Sequence, residues 1–433
     1  MKKMFLIAVM ACGVFSKAQF KISGEIKNFS EQVLLVRVFE GANDKLINKV
    51  ITDKNGKFSV NIPEAYHGMI NISDRSKQNN IDILSANEEV VFQSEFSNQI
   101  FTNTKVTKGK TAMAYQEYQS FESYKDLKAN VFPIIKALYD TKEEFYNAIL
   151  KEEKRIDGLS TKDNLPLLQY YITIYDLANV NFDSPAVAEV HQQNILKHLM
   201  NDNANLESTG LLSKLVMDYL RTSIVGATSQ QQINTTIKGE IDALLDKVEL
   251  DTPRGQNVLS AIFNVLPAAQ FGELLAPYYD KANALTCELT DELKTNLSAH
   301  NLKNPGAVVP NIQFDQAVKG YKSLYDIQSD KKIILFWASW CPACMNEMPF
   351  VKEFYNNFKK EGGEIIAISL DFEEEGYKNA IKDFDWINYT ELLQWDTQGV
   401  EAFGVTSTPT LFLVDKDNKL IKKAHHISEL IDY

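Results

Sequence analysis

Cysteine is scarce in this chain: there are four in 433 residues, and one of them, Cys12, falls within the first 18. A scaffold held by several disulfides is therefore excluded, because Cys341 and Cys344 are the only close pair and Cys287 stands apart. Long apolar runs are also missing. After residue 18 no stretch reaches the ~18 apolar residues needed to cross a bilayer. Positive charge is outweighed: 45 Lys and Arg face 57 Asp and Glu, a formal net charge of −12. Such an acidic chain repels nucleic acid and anionic lipid, so neither is an expected partner. With 45% hydrophobic and 24% charged residues it is ordinary globular material, and its length predicts two to four domains.

The first 18 residues read as a secretory signal. Lys2 and Lys3 give the charged start, Met4 to Val14 is apolar but too short to span, and Ser16-Lys17-Ala18 offers small residues for cleavage before Gln19. Removing that segment takes three lysines and no acid, leaving 42 basic against 57 acidic residues and a charge of −15. The expected location is the periplasm or cell envelope. The alternative is a lipid anchor through Cys12, although Met10 fits the usual lipobox poorly.

From 19 to about 104 the pattern is strand-like. Phe20–Ile26 and Phe58–Ile62 alternate, Val33–Phe39 is β-branched and apolar, and short runs follow at Met69–Ile72, Ile81–Leu84 and Val90–Phe96. Short strands separated by turn residues predict a β-sandwich. Between about 105 and 301 the period becomes helical, at Glu143–Leu150, Leu165–Leu177, Ala186–Met200, Leu211–Ile224, Ile237–Val248 and Val258–Ala268. Ser160, Thr209 and Asp251 stand where helix caps are expected, with Pro253 in a first turn. Lys108-Gly109-Lys110-Thr111 is like the end of a phosphate loop, but Thr104 replaces the required glycine and no strand-to-helix context is apparent. His191 and His198 lack a zinc-protease arrangement and read as core or surface histidines; Cys287 reads as a buried small apolar residue. Asn304-Pro305-Gly306 and Val309-Pro310 break the helices. A strand–helix alternation follows: strand 332–337, helix 342–360, strand 364–370, helix 375–384, a helical turn near 397–403, and strands 410–415 and 419–423. The chain is thus a multidomain α+β protein: signal 1–18, β-sandwich 19–104, all-helical domain 105–301 and α/β domain 302–433.

The decisive motif is Trp340-Cys341-Pro342-Ala343-Cys344, entered from the apolar run Ile333–Trp337. Two cysteines three apart, between a buried strand and a helix, read as a redox dithiol. The helix start stabilises a thiolate at Cys341, and Cys344 lies one turn on to resolve a mixed disulfide. Half a zinc site and a chance pair are the competing readings. There is no second CxxC, and His425 and His426 lie far outside finger-like spacing, so no metal is expected.

Residues 305–433 resemble the thioredoxin-fold domains of the TlpA/ResA type, the envelope thiol-disulfide reductases. The resemblance rests on Pro310–Phe314, Ser323-Leu324, Phe336–Cys344, Glu347-Met348-Pro349 and Thr408-Pro409-Thr410, in that order. The preceding β region is similar, more loosely, to the small domain that often precedes such modules. The resemblance implies that Cys341 attacks and Cys344 resolves. It also implies that Pro409 is a cis proline facing the dithiol, that Thr408 offers its backbone to substrate, and that Glu347 exchanges protons with the resolving thiol. A solvated first-turn glutamate is the alternative for Glu347. Leu335 stands where cytosolic thioredoxins carry a buried aspartate, and Pro349 would kink the helix. Trp340 is an apolar platform beside Cys341, whereas Trp337 belongs to the core.

The implied activity is protein-disulfide reduction by dithiol–disulfide exchange. It needs no cofactor beyond the redox-active Cys341–Cys344 pair, and a membrane-embedded dithiol donor supplies the electrons. Oxidase or isomerase action on the same fold is one alternative; a binding module in 19–300 with an accessory redox domain is another. A thiol peroxidase would need Thr or Ser at 338 and Pro at 334, where Ala338 and Ile334 stand, and Met345 occupies the place of a haem-attachment histidine.

Overall fold

The computed structural model describes residues 20–62, 65–77, 79–159, 164–180 and 184–433. The signal segment, Cys12, the Gln19 start and the Ser160 cap lie outside the described residues. The chain packs as two compact units. One holds the residues up to Glu40, Asp44–Val180 and Asn203–Leu211; the other holds Gly41–Asn43, Asn181–Asp202 and Leu212–Tyr433.

The first unit contains β1 (Phe20–Lys27), β2 (Val33–Phe39), β3 (Asp44–Ile51), β4 (Lys57–Ile62), β5 (His67–Ser73), β6 (Asn80–Ala86), β7 (Val90–Ser97) and β8 (Ile100–Lys108). They form two four-stranded sheets, ordered β4-β1-β7-β8 and β3-β2-β5-β6. Alternation sends one face of each sheet inward: Phe58, Val60 and Ile62 are buried between exposed Lys57, Ser59 and Asn61. Ile22, Leu34, Val36, Ile70 and Phe92, from both sheets, share one core. The sequence pattern does not mark β3 and β8, and both are edge strands. β3 buries no residue and β8 only Val106, so neither carries the alternation that identifies a strand.

Helices α1 (Lys110–Asn130), α2 (Phe132–Lys136), α3 (Glu144–Asp157) and α4 (Pro166–Leu177) follow in this unit. β8 leads through Gly109 into α1, so a strand-to-helix context does surround Lys108–Thr111, contrary to the sequence reading. The chain's own carboxylate fills that helix start. Glu88 accepts the Lys110 and Thr111 N–H groups at 2.7 Å each and that of Ala112 at 3.2 Å, satisfying the open donors of the first turn.

α5 (Pro185–Leu199) belongs to the second unit and α6 (Asn205–Ser208) to the first. α7 (Leu212–Ser223), α8 (Gln230–Val248), α9 (Pro253–Val265), α10 (Ala268–Asn283) and α11 (Asp291–Asn301) lie in the second unit with the C-terminal α/β domain. The helical stretch is therefore divided between the units. His191 and His198 both ride on α5, and His191 is buried. Two caps differ from expectation. Thr252, not Asp251, caps α9 by accepting the Gly255 N–H at 3.1 Å, with Pro253 in the first turn. The Thr209 hydroxyl instead donates back to the Leu206 carbonyl at 2.9 Å, ahead of α7. Cys287 is half-buried rather than buried, and its sulfur accepts the Gln256 amide at 3.4 Å. Among the described residues no helix is long and apolar enough to cross a membrane.

The C-terminal domain opens with the hairpin β9 (Gln313–Val318) and β10 (Tyr321–Ser323). β11 (Lys331–Trp337), α12 (Pro342–Lys360), β12 (Gly363–Ser369), α13 (Glu374–Ala380), β13 (Ile387–Thr390), β14 (Thr410–Asp415) and β15 (Leu420–Ala424) follow. The sheet order is β13-β12-β11-β14-β15. β11 runs parallel to β12 and antiparallel to β14, with Trp337 opposite Ser369 and Phe336 opposite Thr410. A central strand covered on both faces needs apolar residues at every position, and Ile333 to Trp337 are all fully buried. α13 stops at Ala380, short of the expected 384. Between 397 and 404 the chain makes successive turns rather than a regular helix, with the Phe403 N–H donating to the Gly399 carbonyl at 2.8 Å.

Candidate active site

β11 ends at Trp337 and α12 begins at Pro342, so Cys341 is the N-cap residue, with extended backbone. Proline suits the first helical position because its missing N–H has no helical partner there anyway. Cys344, one turn on, faces inward and is fully buried, whereas Cys341 keeps 9% of its surface exposed. Both are free thiols.

The two thiols titrate in opposite directions. Burial works against a Cys341 thiolate, but hydrogen bonds from the Thr408 side chain, the Cys344 N–H and thiol and the Ala343 N–H outweigh it and bring its pKa below the usual thiol value. Cys344 is pushed up to about 12, chiefly by burial. The arrangement therefore holds one thiol whose thiolate is favoured and, behind it, one that stays protonated.

The Thr408–Pro409 bond is cis. The Cys341 thiol donates to the Thr408 carbonyl at 3.5 Å, so the loop backbone rests against that sulfur. Trp340 is 44% exposed beside it, with its indole N–H donating to the Leu370 carbonyl at 3.1 Å. Trp337 is core, packed edge-on to Phe384 with ring centroids 5.8 Å apart. Leu335 is fully buried. α12 continues through Pro349.

Glu347 lies on α12, 9% exposed, rather than solvated. Its Oε1 accepts the Ile427 N–H at 2.7 Å and its Oε2 pairs with His426 Nδ1 at 3.0 Å. The structure thus gathers Cys341, Cys344, Thr408 and Pro409, and turns the Glu347 carboxylate toward residues 426 and 427.

Sequence reasoning missed three residues. Asp371, 2% exposed just beyond β12, accepts the Ser339 N–H at 3.1 Å and the Ser339 hydroxyl at 2.5 Å, fixing the loop that precedes Cys341. A signal existed: the parallel register of β11 and β12 carries this acid to the motif end of the sheet. His425, through Nδ1, lies 3.1 Å from the Pro409 carbonyl. His426 and His425 follow the last strand with no spacing relation to the motif, so nothing local marked them. Among the described residues no group of three or more His, Cys, Asp or Glu is placed to hold a metal ion.

A thioredoxin-like family model matches residues 330–420, which span β11, the dithiol, the cis-proline loop and β14. The C-terminal domain is thioredoxin-like. Over 100 residues it is 35% identical to the thiol-disulfide oxidoreductase ResA of a Bacillus cereus strain, covering 23% of this chain and 57% of that protein. Over 117 residues it is 28% identical to ResA of Bacillus subtilis (strain 168), covering 27% of this chain and 65% of that protein. The chain therefore spans somewhat over half the length of these relatives. A crystal structure of the thioredoxin domain of a thiol-disulfide oxidoreductase from Bacteroides vulgatus aligns with 28% identity. It covers 30% of this chain and 94% of that one, with a TM-score of 0.27. The likeness to ResA is confined to the thioredoxin-like domain.

Proposed function

We propose that this protein is an envelope thiol-disulfide oxidoreductase that reduces protein disulfides. The observation that carries the reading is the split between the two thiols: burial opposes a Cys341 thiolate, but the Thr408 side chain and the donors of the helix start lower it, whereas Cys344 is buried and pushed up to about 12. Similarity of the thioredoxin-like domain to ResA, named a thiol-disulfide oxidoreductase, supports it.

The Cys341 thiolate attacks one sulfur of the substrate disulfide. That S–S bond breaks, a mixed disulfide forms, and the departing sulfur takes up a proton. Cys344 then gives up its proton and attacks Cys341 Sγ. The second substrate thiol leaves, and two electrons have passed to the substrate while Cys341 and Cys344 become a disulfide. Glu347, one turn from Cys344, receives the Cys344 proton in this reading. The Thr408 backbone pairs with the substrate chain, Pro409 holds that loop against the dithiol, and Trp340 offers the apolar platform. No further cofactor takes part. A membrane-embedded dithiol restores the reduced pair, and the signal-like residues 1–18 support an envelope location, with a lipid anchor through Cys12 as the alternative.

The test is turnover with a protein disulfide such as insulin. Cys341→Ser abolishes reduction, and Cys344→Ser accumulates a covalent mixed disulfide visible by mass spectrometry. Reduction that survives in Cys341→Ser would overturn the assignment.

A further inference from the structure

The Glu347 carboxylate is enclosed by a short segment beyond β15. Ile427 donates its N–H to one oxygen at 2.7 Å, and His426 Nδ1 meets the other at 3.0 Å. That segment is itself tied down: Glu429 accepts the His425 and His426 N–H groups at 3.0 and 2.9 Å. His425 Nδ1 reaches the Pro409 carbonyl at 3.1 Å. Three consecutive residues therefore touch the cis-proline loop and the redox helix together. The imidazole of His426 is 65% exposed while the Glu347 side chain is 11% exposed, so the ring lies between solvent and a covered carboxylate.

We propose that His426 is a positioning residue of the dithiol site, holding Glu347 on α12 and setting whether its carboxylate is free to accept the Cys344 proton. The proposal rests on the reading above in which Glu347 exchanges that proton.

The chemistry follows from which nitrogen faces the acid. A carboxylate requires an N–H opposite it, so Nδ1 keeps its proton in both the neutral and the charged ring, and titration occurs at the outward nitrogen. Groups facing His426 are Glu347 from α12 and Glu429 from the turn after it; His425 is its chain neighbour, and Lys422 of β15 acts on Glu429. The hydrogen bond to Glu347, and then the charge of that carboxylate, hold His426 above the ordinary histidine value. Below that pKa an imidazolium compensates Glu347 and makes it a poor base. Above it the hydrogen bond persists, the compensation is lost, and Glu347 can take the proton.

The test is stopped-flow reaction of the reduced full-length protein with 5,5′-dithiobis(2-nitrobenzoate) from about pH 5 to 9. The first thiolate released reports attack by Cys341, and the second reports resolution by Cys344. In the wild type the second phase shows a step at the imidazole titration, above the steady rise due to Cys344 itself. His426→Gln keeps a donor but cannot titrate, so the step disappears while the first phase and the urea midpoint are unchanged. Glu347→Gln slows the second phase about 100-fold and also removes the step, and the double variant behaves as Glu347→Gln alone. A His426→Gln profile that superimposes on the wild type, with Glu347→Gln still slow, would overturn the role of His426 and leave Glu347 in place. A second phase unaltered by Glu347→Gln would remove both.

Discussion

Two thiols one helical turn apart meet different surroundings, and that difference can be read by alkylation. Cys341 is lowered and keeps some exposure, so its carboxamidomethylation should saturate at a lower pH than that of an ordinary thiol. Cys344, pushed up to about 12 and fully buried, should remain unmodified across the neutral range. Site-resolved mass spectrometry checks this, and equal labelling of the two would contradict it. Glu347 gives a second prediction at this scale. Glu347→Ala leaves the buried Ile427 N–H without its acceptor, a loss of about 1–3 kcal/mol measurable by urea unfolding. The CxxC pair was legible because local order carries it, a buried strand before and a helix after, whereas Thr408 and Pro409 were reached only through the family resemblance. Asp371 was marked only through the strand register and His426 by nothing local, because their partners lie 32 and 79 positions away and meet them only once the domain has folded.

At the scale of elements, continuous burial gave the clearest signal. β11 is apolar from Ile333 to Trp337 because it is central, and its limits in the sequence differ by one residue from those observed. Edge strands and partly solvated helices left weaker marks. β3 and β8 were missed, and α1 lay within the stretch read as helical but was not delimited, its buried residues, Thr111 to Tyr118, being confined to its N-terminal half. The start of α1 is also where the phosphate-loop reading was set aside from the sequence, and the structure adds that the carboxylate held there is Glu88. Glu88→Ala should speed hydrogen exchange at the Lys110, Thr111 and Ala112 amides and cost about 1 kcal/mol, the worth of a lost cap. Unchanged protection there would show that the carboxylate does not hold the helix start.

For the whole molecule, periodicity revealed element type but not which elements pack together. The helical stretch reads as one block in sequence, yet its members divide between two compact units. Leu302, just after α11, is 1% exposed within the core of the thioredoxin-like domain. Leu302→Ala should therefore destabilise that domain by about 2–5 kcal/mol. The four tryptophans, Trp337, Trp340, Trp386 and Trp395, all lie in it, so fluorescence-monitored urea unfolding reports on this domain. A shift of under about 0.5 kcal/mol would mean that the packing of Leu302 contributes little.

The central claim concerns direction, and equilibrium potential decides it. The Cys341–Cys344 couple of the full-length protein should be titrated in glutathione or dithiothreitol buffers, with Cys341→Ser as the control. A reductase requires a value near or below about −250 mV, which is the result predicted here. A value above about −180 mV would make the protein an oxidant or isomerase and contradict the account.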